Sequence, residues 1–232
     1  PLSEMRESEK YRKDSRYKKY VQLVEKTLQS FDKEVNEWAD FISFLGRLLK
    51  AFQAYPQYPV IPRKLVVAKR LSQSLNPALP PGVHQKALEV YTHIFKSIGT
   101  DQLAEDLPVY SHGLFPFLQY AAMNVKPQLL EIYEVYYLPL RTRLRPVMKA
   151  LITALLPGLE EEGSESFDKV LFLFEELSGT VEQSYFLQSL WLVLITTPSL
   201  RTPALNYLSR QMPKIASKED VAVMLGDDVG LM

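Results

Sequence analysis

The residues of this sequence with the best spacing for chemistry are cations. Arg141, Arg145 and Lys149 recur every fourth residue, which on an α-helix sets them in one row beside an apolar face. Arg12, Arg16 and Lys19 cluster in the same way near the start. Arg63 and Arg70 share one side of a short predicted helix, with Lys64 and Lys69 close by. A Lys or Arg near an anionic leaflet is worth about 1 kcal/mol, so three or four that converge can hold a protein to a membrane. The plainer reading of any one row is a solvated helix face. A second candidate is AYPQYPVIPRK, Ala54 to Lys64. Tyr55 and Tyr58, in a loop stiffened by prolines, are placed to dock a partner or enter a membrane interface. The alternative, which we favour, is a stiff connector whose tyrosines pack on adjacent helices.

Reaction chemistry finds little support. There is no phosphate-cradling glycine loop, nucleophile elbow or metalloprotease helix motif. The chain has no cysteine, and its histidines, His84, His93 and His112, do not stand at paired-ligand spacing. We therefore expect neither a metal nor a cofactor, and no enzyme. His84 falls on the apolar arc of its helix and reads as a packed imidazole bonded to backbone; His93 projects to the polar side. Glu160, Glu161 and Glu162 are adjacent in a glycine-flanked loop, whereas a catalytic carboxylate pair needs facing positions across a cleft. Lys plus Arg equals Asp plus Glu at 27 each, so no global field steers the chain onto nucleic acid and an anionic partner must meet a local patch.

The elements that must position these side chains are helical. Tyr17, Tyr20, Val21, Val24, Leu28 and Phe31 fall on one face, as do Trp38, Phe41, Ile42, Leu45, Leu48, Leu49 and Phe52. The short DKEVN connector makes these two runs an antiparallel hairpin. Pro80, Pro81 and Gly82 then break the chain. Val83, Ala87, Val90, Tyr91, Ile94 and Ile98 line the next helix, which Gly99 is placed to close. Helices are also predicted from Pro127, from Pro139 with Leu140 to Leu155 on one face, from Ser166 to Gly179, and from Thr202–Pro203. Tyr185–Ile195 is apolar almost all round and is expected to lie buried between neighbours; Trp38 and Trp191 read as core. The longest apolar run, SLWLVLIT, falls far short of the roughly 20 residues of a spanning helix, so a soluble chain is expected, and the missing initiator Met suggests a fragment.

Successive hairpins without an alternating strand imply an all-α fold, an α-solenoid of HEAT or armadillo type. The predicted organisation is a polar lead-in over residues 1–12, a helical repeat domain over 13–213, and the start of a truncated further repeat over 214–232.

Four collinear segments carry a family resemblance: EWADFISFLGRLLKAFQ, PALPPGVHQKALEVYTHIF, DLPVYSHGLFPFLQYAA and LLPGLEEEGSE. Together they resemble the N-terminal region of the Dopey family, from about Tyr11 to Pro213. The resemblance implies a non-catalytic part of a very large peripheral protein on the cytosolic face of Golgi and endosome membranes. It implies work in vesicle traffic with a giant scaffold of the Mon-two type, and links to an aminophospholipid flippase and to kinesin-driven transport. It also implies contact with phosphatidylinositol 4-phosphate. It assigns no individual binding residue; the cations above are read from spacing. A pure protein-interaction module, with membrane attachment left to the partner, is the rival expectation.

Overall fold

The computed structural model describes residues 10–11, 13–34, 37–160 and 162–211, with backbone alone at 32–34 and 165. The fold is all-α, and no strand occurs among the described residues. The chain divides into two compact units, residues 1–117 with 121–128, and residues 118–120 with 129–232.

In the first unit α1 (Ser15–Glu34) and α2 (Trp38–Gln53) form the expected hairpin, and α2 also packs on α4 (Pro81–Glu105). Helix α3 (Lys64–Ser74) packs on α4 and on α5 (Leu107–Leu114). The apolar stripes meet as their period requires: Val24, Phe44, Leu45, Leu48, Val67, Leu71, Val83 and Tyr91 have no solvent-exposed surface. Glu37 and Asp40 close a reciprocal capping box at the start of α2, which satisfies two of its orphan backbone donors. Pro81 occupies the first turn of α4, where a missing N–H costs nothing. Gly99 has φ 75° and ψ 176°, a conformation that side-chain-bearing residues resist. The span Pro81–Glu105 is thus two helical stretches joined across Gly99, where the first closes as the sequence predicts.

Helix α5 packs tightly on α3 and α4 at Gly113. A Cβ there would lie 2.6 Å from Tyr91 Oη and 2.9 Å from Ser72 Cβ, distances at which backbone or ring must shift. Gly113→Ala is expected to lower stability by about 1–3 kcal/mol through overpacking, read as a fall in the urea midpoint at unchanged slope.

After α6 (Lys126–Ile132) the chain takes one π-helical turn, Tyr133–Tyr137, and then a 3-10 segment, Leu138–Val147. In the second unit that 3-10 segment packs on α8 (Glu165–Val181), while α7 (Met148–Leu155) packs on α9 (Gln183–Thr196). Helix α9 also contacts α8 and α10 (Arg201–Gln211). Three boundaries differ from the sequence reading. Gly179 lies inside α8, α8 begins before Ser166, and a short 3-10 turn, Pro198–Leu200, precedes α10, which begins at Arg201 rather than Thr202.

Two expected core residues also differ. Trp38 is 56% exposed, at the first residue of α2. Helix α9 buries only Phe186, Leu187, Leu190 and Val193. Its opposite face leaves Trp191 half-buried and Leu192 and Ile195 exposed, so the helix is buried on one side rather than all round. The predicted further repeat at 214–232 lies outside the described residues.

Candidate functional site

Of the first cationic group, Arg16 and Lys19 are exposed on α1; Arg12 lies outside the described residues. The group from Arg63 to Arg70 does not form one surface. Lys64 is 3% exposed, and its Nζ lies 2.8 Å from Asp106 Oδ1. Gln102 donates a further hydrogen bond to Asp106 Oδ2 at 3.0 Å. Lys64 is therefore no membrane cation but half of a buried ion pair joining the start of α3 to the junction of α4 and α5. Arg63, with φ 56° at the cap of α3, pairs with Glu25 at 2.6 Å. The Arg70 guanidinium sits 4.5 Å from the Phe31 ring centre and donates to Gln73 Oε1 at 2.9 Å. It is spent largely on packing. Arg63 and Lys69 are the exposed members of this group, and Lys69 stands beside Leu65, 44% exposed, and Val66, 39% exposed.

The row Arg141, Arg145, Lys149 is not one stripe. A four-residue repeat aligns only along an unbroken α-helix, and the chain departs from helical geometry at Arg141 (φ 51°, ψ −125°) and changes from 3-10 to α between Arg145 and Lys149. All three are exposed. Arg145 is paired with Glu182, and its guanidinium lies 5.4 Å from the Tyr185 ring centre.

The tyrosine loop is a connector. Tyr58 is 6% exposed, with ring centres at 5.2 Å to Tyr17 and 6.0 Å to Tyr20. Tyr55 is half-buried and stacks on Tyr20 at 5.1 Å. Tyr20 donates to the Val60 carbonyl at 3.2 Å, and Tyr58 donates to Asp14 Oδ2 at 2.6 Å. These contacts seal the loop against α1 and commit both rings to packing, so Tyr55 and Tyr58 are no docking pair.

The Tyr58 hydroxyl, with the Arg16 backbone N–H second, holds the Asp14 carboxyl below the usual carboxylate range. A carboxyl whose folded pKa is depressed adds stability above its unfolded value, near 3.9, and loses it as pH falls through the lower folded value. Tyr58→Phe is expected to raise the Asp14 pKa toward the ordinary value, seen in a carboxyl carbon titration by NMR.

His84 is buried, its Nε2 at 2.9 Å from the Asn76 carbonyl and its ring edge-on to Phe117 at 4.7 Å. His93 is half-buried rather than solvated, and stacks on Phe52 with ring centres 6.4 Å apart. Burial, with Lys96 nearby as a second cause, lowers its pKa. Among the described residues no group of His, Asp or Glu is arranged to hold a metal ion, and no helix is long and apolar enough to cross a membrane.

The class defined by this arrangement is an all-helical domain with a buried Lys64–Asp106 ion pair in its first unit. The chain belongs to the Dopey family: the family model described as "Dopey, N-terminal" matches residues 14–227. It is 47% identical over 215 residues to Protein DOP1B of Xenopus laevis, covering 93% of this chain and 9% of that protein. It is 46% identical over 220 residues to Protein dop1 of Emericella nidulans, covering 88% of this chain and 12% of that one. It is 40% identical over 209 residues to Protein DOP1 of Saccharomyces cerevisiae, covering 87% and 12%. The chain thus spans about a tenth of the length of the curated relatives it matches. No solved structure matches it.

Proposed function

We propose that this chain is a non-enzymatic adaptor domain of a Dopey-like protein in Golgi and endosome membrane traffic, engaging a large partner scaffold of the Mon-two type and an anionic phosphoinositide membrane. The outer face of α3 is the observation that carries the membrane half. Leu65 and Val66 are exposed, and exposed Lys69 stands four and three residues on, so the three share one side of the helix. An apolar pair beside a cation suits a headgroup boundary, where carbon enters the acyl region and the ammonium meets phosphate. Flotation with vesicles of phosphatidylcholine alone, or doped with phosphatidylinositol 4-phosphate, tests it. We expect binding to the doped vesicles, weakened at raised ionic strength and reduced at least fivefold by Leu65→Asp with Lys69→Glu. Equal flotation with both vesicle types, or an indifferent variant, contradicts it.

A second reading, protein interaction alone, draws support from the outer face of α9, where Leu192 is 46% and Ile195 41% exposed. It predicts retention of the scaffold partner with no vesicle binding, and loss of that retention in Leu192→Asp.

A further inference from the structure

The sequence balances its charges overall, but residues 160–182 carry eight carboxylates and one cation, Lys169. Helix α8 runs through this segment. It buries Val170, Phe174 and Leu177, and at the middle of the opposite face Phe172 is 41% exposed. Asp168 stands four residues before that ring, and Glu175 and Glu176 three and four after it, all exposed. These positions are the ring's neighbours along the helix surface. An aromatic ring left in water forgoes the transfer energy that burial would give, and carboxylates on both sides of it favour a facing cation.

A second apolar side chain lies close by, in the same unit. The Lys169 ammonium is 5.3 Å from the Phe172 ring centre and is paired with Glu134. That pair brings the π-helical turn Tyr133–Tyr137 to α8, and within the turn Val135 is 49% exposed. Single π-helical turns of this kind are frequent at functional sites. Glu131, four residues before Val135, is exposed as well. Arg210 is engaged by Glu162 and Arg145 by Glu182, whereas Asp168 and Glu176 make no ion pair among the described residues. Phe172 and Val135 make this face a docking surface; the carboxylates around them decide the charge of what covers it.

We propose that the outer face of α8, with Val135 beside it, docks a basic amphipathic helical segment of another protein. Such a segment sets an aliphatic side chain on Phe172 and a lysine or arginine one turn to either side. A helix laid along α8 repeats its side chains at the interval that separates the ring from Asp168 and from Glu176, so one cation meets each carboxylate. A contact limited to one helical face is small, which makes the complex weak and sensitive to salt. The face uses none of the α3 or α9 residues of the readings above, so each can fail while the others stand.

The test is a fluorescence-anisotropy titration of the 232-residue chain against a labelled peptide of leucine, lysine and alanine patterned as an amphipathic helix. A scrambled peptide of the same composition is the second probe. Saturable binding of the patterned peptide, weakened at least fivefold by Asp168→Lys with Glu176→Lys, supports the proposal. Phe172→Ser, which keeps the charge, should weaken it at least threefold and so separates docking from charge attraction alone. Val135→Ser serves should circular dichroism show that the change at Phe172 disturbs the helices. Glu89→Lys with Glu105→Lys makes the same charge change on exposed residues of the first unit and should leave binding unchanged. The proposal is overturned by absence of binding, by equal binding of the scrambled peptide, by variants that bind like the parent, or by an equal loss in the control pair. Self-association of the chain alone in sedimentation, lost in the same variants, also overturns it, because a second copy is then the occupant.

Discussion

Asp106→Ala is expected to destabilise the first unit by about 3–5 kcal/mol, because it leaves the Lys64 ammonium buried without its carboxylate. Both side chains are almost wholly shielded, at 3% and 4% exposure. Water cannot replace the lost partner without opening the contact between α3 and the α4–α5 junction. The Gln102 amide loses its acceptor at the same time. A loss of this size moves a thermal midpoint by about 10 °C or more. The double replacement Lys64→Met with Asp106→Leu should recover most of the loss, since a buried ion pair is often worth no more than well-packed apolar groups. Urea unfolding of the parent, the single variant and the double variant measures both. A single variant within about 1 kcal/mol of the parent would mean that the pair is hydrated.

The second large effect belongs to the other unit. Phe174 has no exposed surface. Its ring stands edge-on to Phe186 at 5.5 Å and to Tyr207 at 5.0 Å. The three rings come from α8, α9 and α10 in turn, so one side chain ties three helices together. Phe174→Ala combines lost transfer energy with a cavity, for a cost of about 3–5 kcal/mol, and also loses two edge-to-face contacts. Phe174→Leu keeps most of the volume and should cost less than half as much. Because this cluster is confined to one unit, hydrogen exchange should show the amides of α8 to α10 losing protection in Phe174→Ala.

The helices were legible because their apolar residues recur at helical spacing, and burial follows that spacing from Tyr17 to Tyr207. The same rule contained the warning about Lys64. It stands three and four residues before Val67 and Ala68 and seven before Leu71, on the buried stripe of α3, so its position outweighed its charge. Its partner, Asp106, is 42 residues away, and only the fold could bring the two together. The tyrosine loop shows the same balance: its stiffness was visible in the prolines, but the acceptors, Asp14 and the Val60 carbonyl, were not. The Arg141 row misled because a repeat of four assumes an unbroken α-helix, and the chain departs from one at Arg141 and again before Met148.

The central claim, that the outer face of α3 meets a membrane, is tested most directly by depth. The sequence has no cysteine, so Val66→Cys provides a unique attachment point for a nitroxide spin label, with Gln85→Cys as an exposed control. With the protein bound to vesicles containing phosphatidylinositol 4-phosphate, the label at 66 should gain accessibility to oxygen and lose it to a water-soluble nickel chelate, while the label at 85 remains aqueous. A label at 66 that stays as aqueous as the one at 85 on bound protein would contradict the account.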